Sequence, residues 1–166
     1  RAGQTGGVML TAHLPSGYVL GRAAGWRGSL LAAAVVGAVT PDLDMIRFHL
    51  LDHGQVHHHR YWSHIPAVWL AIGVASLALP PAFRRLAAAF LAGVALHLIL
   101  DSIGGDILWG WPVTDRFFSL VTVPARHGHW IANYLLHWSF MFELLIWGAA
   151  LFLFVRDRTA PETSAS

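Results

Sequence analysis

The stretch LAAAFLAGVALHLILD, residues 86–101, joins a membrane-like apolar run to two ionisable side chains. Residues 86–96 carry no charge, and His97 and Asp101 follow with four-residue spacing. In a helix that spacing turns by about 400°, so the imidazole and the carboxylate share one face. Ionisable groups at membrane depth are costly and usually serve a function or pair with each other. The stretch therefore predicts a membrane helix ending in two metal ligands, with a hydrogen-bonded histidine beside a helix-end aspartate as the alternative.

The composition of the whole chain agrees with a membrane protein. The 166 residues are 55% hydrophobic and only 12% charged, whereas soluble domains average about 25% charged residues. Cysteine is absent, so a zinc-like ion would have to use imidazole and carboxylate ligands. The chain has eleven histidines, and its eleven basic residues are all arginine. With a net charge of only +2, nucleic-acid binding is not expected.

Apolar and helical patterns recur on both sides of this stretch and predict an all-α, multi-pass transmembrane helical bundle. We expect a single membrane-embedded domain over residues 8–155. The glycine-rich residues 1–7 lack a signal-peptide pattern and are expected to be flexible, and residues 156–166 are expected to form a disordered tail. The predicted helical segments are Leu10–Ala24, Ser29–Val39, Pro41–Asp52, Ile65–Leu79, Leu86–Leu100 and Ile131–Val155.

Because successive segments alternate in direction, the polar groups are expected to meet at one membrane face. That face collects His13, Asp42, Asp44, the segment His57–His64, His97 and Asp101. Six arginines fall at the opposite face and five at this one. The positive-inside tendency then places the polar groups on the non-cytoplasmic face of a bacterial inner membrane.

Each of the other polar groups has a structural alternative to metal binding. Asp42 and Asp44 follow Pro41 in a first helical turn, where acids also complement the helix dipole. Residues 57–64 hold four histidines, which would repel one another if protonated, so metal ligation or a pH sensor explains them. His13 alone is compatible with a core or surface histidine. Together the groups supply enough imidazole and carboxylate ligands for two ions, with Zn²⁺ preferred and Mn²⁺ as an alternative.

Two ions would present a metal-activated hydroxide to phosphorus or to a carbonyl carbon. Arg60 would face the developing negative charge, and it and Asp44 form the predicted catalytic pair. The substrate expected at a bilayer boundary is a lipid or another amphipathic, lipid-linked ester, and Trp62, Trp109, Trp111 and Trp130 would be interfacial anchors. A metal-transporting protein and a protein with a purely structural metal site remain the alternatives.

The order of the motifs resembles a known family. Thr-Ala-His13, Pro-Asp42-Leu-Asp44, His59-Arg60-Tyr-Trp-Ser63-His64, His97-x-x-x-Asp101 and Leu108-Trp109 to Trp111-Pro112 look like the YdjM-like family of LexA-regulated, inner-membrane metal-dependent hydrolases. The resemblance covers residues 8–155 and implies a multi-pass helical hydrolase, distantly like zinc-dependent phospholipase C. The metal ligands that it implies are His13, Asp42, His59, His64, His97 and Asp101, with Asp44 as a further candidate.

One departure from the phospholipase pattern concerns the end of the chain. That group has a second His-x-x-x-Glu helix, which this sequence lacks. The late candidates are His127, His129, Asn133, His137 and Glu143. Of these, His129 and His137 are predicted to complete a second metal site, and local hydrogen bonding within the helix bundle is the alternative.

Overall fold

The computed structural model describes residues 11–53, 55, 58–103, 105–121, 129, 132 and 135–159. Over these residues the chain is helical, and its only strand-like pairing is an antiparallel bridge between Ile107 and Phe118. Short 3₁₀ turns span Pro41–Leu43, His58–Arg60 and Trp62–His64. The α-helices whose bounds fall within the described residues are α1 His13–Ala23, α2 Gly28–Val39, α3 Asp44–Leu50, α4 Pro66–Ser76, α5 Pro81–Asp101 and α6 Trp138–Thr159. The predicted all-α class is confirmed.

Two of these helices are long and apolar enough to cross a membrane. They are α5 and α6, with mean hydropathies of 1.6 and 1.9. A third span would result if α2 and the following segment Pro41–Leu50, which bend by 51° at their junction, act as one. Large apolar side chains cover the outside, and Leu70, Leu145 and Phe152 are each more than 60% exposed. A hydrocarbon environment explains such a surface.

The start of α5 differs from the prediction. The sequence pattern suggested that Pro80 and Pro81 close one helix and that Leu86 opens the next. Instead, α5 begins at Pro81 and contains Arg84. Proline is well suited to the first helical position, since it lacks only an N–H that has no partner there.

The last helix is also displaced from its predicted range, beginning at Trp138 and running through Thr159. Its C-terminal end is tied to α1, where Asp157 accepts hydrogen bonds from Arg22 at 2.7 Å and from Tyr18 at 3.2 Å. With these contacts the helix continues through residues 156–159, although the sequence predicts a disordered tail there. Residues 1–7 and 160–166 lie outside the described residues.

Glycines bring the backbones of α2 and α5 into direct contact. A Cβ added at Gly37 would lie 2.0 Å from the Phe90 carbonyl oxygen, and one at Gly93 would lie 2.1 Å from the Ala34 carbonyl oxygen. Small residues allow this close approach in membrane helix pairs. The contact places the end of α2, with the carbonyl of Ala38, next to the last turns of α5.

The turn that carries His64 is held by a small apolar core. Trp69 packs with Val94 and Leu98 of α5 and with Ile107. Its indole N–H donates to the Ser63 carbonyl oxygen at 2.7 Å. This bond fixes the turn Trp62–His64 against α5.

Candidate metal centre

Six predicted ligands from separate parts of the chain meet in one cluster. His13 begins α1, Asp42 lies in the turn after α2, His59 and His64 lie in the two later 3₁₀ turns, and His97 and Asp101 end α5. All are buried except Asp42, whose side chain is 38% exposed. We name these six residues the His/Asp cluster.

Asp101 lies at the centre of the His/Asp cluster. Its Oδ1 is 3.1 Å from Nε2 of His13. Its Oδ2 is 3.0 Å from Nε2 of His97, 3.4 Å from that of His64 and 3.7 Å from that of His59. One carboxylate therefore faces the same nitrogen atom of four imidazoles.

Asp42 lies on the exposed side of the cluster. Its Oδ1 is 3.7 Å from His97 Nε2 and 3.9 Å from His64 Nε2, and its Oδ2 is 4.0 Å from His13 Nε2. Because Asp42 is partly exposed and next to the imidazoles, it marks the side from which a ligand could approach.

Three of the imidazoles are oriented by acceptors outside the cluster. The Nδ1–H groups donate as follows: His97 to the Ala38 carbonyl at 2.7 Å, His59 to the Asp106 carbonyl at 2.9 Å, and His64 to Asp44 Oδ2 at 2.7 Å. Carbonyl and carboxylate oxygens only accept, so Nδ1 must carry the proton, and Nε2 of the neutral ring then presents its lone pair. Such outer acceptors are typical of metal-ligating histidines.

The arrangement of donor atoms fits a divalent ion. The Nε2 atoms of His97 and His64 are only 3.4 Å apart, although both present lone pairs when neutral. Asp101 Oδ2 is buried, and none of the described groups is aligned to give it a hydrogen bond. Ligands of tetrahedral zinc at 2.0–2.1 Å are separated by about 3.3 Å, which is close to these spacings. Between neutral rings, a divalent cation would remove this lone-pair repulsion and would also bind the buried Asp101 Oδ2.

Three overlapping groups in the described residues could hold an ion, each with its ligand atoms within 4.8 Å of one another. They are His13–His97–Asp101, Asp42–His64–His97 and His59–His64–Asp101.

The pKa of His64 shows that a proton competes with a metal ion for this side chain. Burial by itself lowers the pKa of His64, but the carboxylates of Asp101 and Asp44 outweigh it and raise the pKa to about 9. Without a metal ion the ring therefore keeps its proton at neutral pH. An ion that binds there must displace that proton.

Asp44, predicted as a ligand and as a catalytic residue, lies behind His64 and is not in any of the three groups. Its Oδ2 accepts hydrogen bonds from His64 Nδ1 at 2.7 Å and from the Ser63 hydroxyl at 2.6 Å. The structure thus places Asp44 as an orienting acceptor for His64.

Replacing Asp44 by alanine should lower zinc affinity about 10- to 100-fold, the usual effect of losing the acceptor behind a ligating histidine. Competition for zinc with a chromophoric chelator in detergent measures this. Asp52→Ala is the matched control, because Asp52 is a nearby carboxylate that binds Tyr61 outside the cluster. Equal affinities of the two variants would contradict the orienting role.

The structure does not bring the remaining predicted site residues into these groups. Arg60 is exposed, and its guanidinium carbon lies 6.0 Å from the centre of the Phe117 ring. His129 is exposed, and His137 Nδ1 lies 2.9 Å from the hydroxyl of Ser139. Their predicted roles in catalysis and in a second metal site stay predictions.

Glu143, one of the late candidates in the sequence, is a buried polar residue. It is fully buried on α6 and accepts hydrogen bonds from the Thr11 N–H at 2.9 Å and the Thr11 hydroxyl at 2.7 Å. Thr11 lies two residues before His13, so Glu143 ties α6 to the start of α1. In the sequence, the feature that indicates a paired or functional role for Glu143 is its position inside an apolar span.

A comparison with known proteins identifies the family of this chain. The model of the YdjM inner membrane protein family matches residues 8–159, which include the whole His/Asp cluster. No match was found among curated proteins or among solved structures, so the likeness to phospholipase C stays a prediction. The family match covers most of the chain and agrees with its apolar helices. This chain belongs to the YdjM inner membrane protein family.

Proposed function

We propose that this membrane protein is a metal-dependent hydrolase that acts on a phosphoester or ester of a lipid or lipid-linked substrate. The observation that carries the proposal is the convergence of four imidazole Nε2 atoms on Asp101 beside the exposed Asp42. Catalytic metal sites keep one side open to substrate, whereas structural metal sites are closed by protein ligands.

The cluster has enough donor atoms for two ions. The groups His13–His97–Asp101 and His59–His64–Asp101 have no imidazole in common and share only Asp101. Asp101 presents Oδ1 towards His13 and Oδ2 towards the other three histidines. Two Zn²⁺ ions are the proposed cofactors, and the carboxylates also allow Mn²⁺.

Side chains of this protein would have separate roles in the hydrolysis reaction. When bound, divalent ions supply Lewis acidity and a nucleophile at neutral pH. Asp42, at the exposed side, would accept a proton from an entering water molecule. Arg60 follows ligand His59 in the chain, and we propose that its cation attracts the anionic group of the substrate.

The position of the cluster along the helices supports a lipid substrate. His97 and Asp101 lie in the last two turns of α5, one of the candidate spans. A site at the end of a span would meet molecules whose polar group lies at the bilayer boundary. The excess of arginines at the opposite helix ends supports a non-cytoplasmic orientation in a bacterial inner membrane.

Hydrolysis and metal content, measured on the same detergent-purified samples, test the proposal. Zinc-loaded protein should hydrolyse a phospholipid or a generic phosphodiester, and chelation should stop the reaction. His97→Ala should lose both metal and turnover. Bound metal without turnover would instead support transport or a structural metal, and a folded sample that binds no metal would refute the hydrolase.

A further inference from the structure

An apolar groove lies between α1, α2 and α6. Its volume is about 600 Å³, which is within the range of ligand-binding pockets. Its walls include Leu14 and Tyr18 of α1, Val35 of α2, and Trp147, Leu151 and Phe154 of α6. The hydroxyl of Tyr18 is engaged by Asp157, so the walls offer a ligand almost only hydrocarbon.

Polar contacts hold α6 against α1 on both sides of this groove. On the side of the His/Asp cluster, Thr11 binds Glu143 and accepts a hydrogen bond from the indole of Trp147 at 3.2 Å. At the other end, Arg22 forms an ion pair with Asp157 at 2.6 Å. Between these ties, the wall from Trp147 to Phe154 extends for about 10 Å at 1.5 Å per residue.

The wall of the groove adjoins the His/Asp cluster in the chain. His13, whose Nε2 faces Asp101, is followed directly by Leu14 and Pro15, and both line the groove. One short helix therefore carries a metal ligand and the wall of an apolar binding site in consecutive residues.

The apolar walls of the groove favour a hydrocarbon ligand. Water in such a groove would find few hydrogen-bonding partners, whereas a bilayer surrounds α6 with hydrocarbon chains. We propose that the groove binds one hydrocarbon chain of the substrate and thereby directs the ester group of that molecule to the His/Asp cluster. This inference rests on the proposed function and narrows the substrate to esters with a long apolar chain.

Gly148 offers a way to fill the groove without touching the cluster. It lines the groove, and a Cβ added there meets no heavy atom within 4 Å. Gly148→Trp should place its side chain in the space proposed for the hydrocarbon chain, and Gly148→Leu serves as a smaller second variant. Ala149→Trp is the matched control, because Ala149 is exposed and is not among the groove-lining residues.

The probe is phosphatidylglycerol with a diazirine near the end of one acyl chain, diluted into phospholipid nanodiscs that contain the zinc-loaded protein. After irradiation, peptide mapping should find label on Leu14–Tyr18 and Trp147–Phe154. Gly148→Trp should lose this label and the hydrolysis of long-chain substrate, while it keeps metal content and hydrolysis of a short soluble phosphodiester. Ala149→Trp should match the wild type in all four.

Labelling and turnover separate the two proposals. Hydrolysis of phospholipid without label in the groove, or with label that both Gly148 variants leave unchanged, overturns the groove as the chain-binding site and leaves the hydrolase standing. Label that Gly148→Trp removes, in a protein that hydrolyses nothing, supports the groove as a chain-binding site and refutes the hydrolase.

Discussion

Asp101→Ala is expected to abolish stoichiometric metal binding. Asp101 belongs to two of the three candidate groups in the described residues and faces all four imidazoles of the cluster. Loss of an orienting acceptor alone costs about 10- to 100-fold in affinity, so removal of this proposed central ligand should cost more than about 100-fold. Elemental analysis after dialysis, with chelator competition for the residual affinity, measures the loss.

Two further variants separate ligation from packing. Asp101→Asn keeps the shape of the side chain but removes its charge, and it should also fail to retain metal while the protein stays folded. Asp115→Ala removes an exposed carboxylate outside the cluster and should leave metal content unchanged. Wild-type metal content in Asp101→Asn would show that this carboxylate is not a ligand.

The second large effect is expected from a single methyl group in the helix interface. A Cβ at position 93 would lie 2.1 Å from the Ala34 carbonyl oxygen and 2.8 Å from the Ala38 nitrogen, both of them backbone atoms. Gly93→Ala must therefore push α2 away from α5, at a cost of about 1–3 kcal/mol or more. The shift would also move the Ala38 carbonyl away from His97, so thermal stability and zinc affinity should fall together.

Gly148→Ala is the matched control for this prediction. Gly148 is also a helical glycine, but its added Cβ meets no heavy atom within 4 Å. Thermal unfolding in detergent, followed by circular dichroism, should show a lower Tm for Gly93→Ala only. Equal Tm values for the two variants would contradict the close approach of α2 and α5.

The apolar runs predicted the helices well, but their ends less well. The run over residues 86–100 identifies α5, but the pattern predicts a helix stop at Pro81, where the structure begins the helix. The helix α6 continues to Thr159 because Asp157 has partners on α1. Those partners are more than 130 residues away in the chain, so no local pattern could reveal them.

The composition and spacing of the sequence by themselves determined the chemical inventory of this protein. Apolar runs specify helices suited to a membrane, and the absence of cysteine restricts metal ligands to imidazole and carboxylate. The i, i+4 spacing of His97 and Asp101 places both on one helix face because a helix turns once in 3.6 residues. Alternating helix direction was enough to expect His13, Asp42, His59 and His64 nearby.

Which atoms of these residues meet depends on how the distant segments pack in the tertiary structure. Two of the Nδ1 acceptors are the backbone carbonyls of Ala38 and Asp106, and every residue has such a carbonyl whatever its side chain. Asp44 lies behind His64 because the turn Trp62–His64 is pinned against α5, and spacing alone did not distinguish it from Asp42. Ring orientation depends on contacts between distant segments, so it becomes defined only when the helices pack.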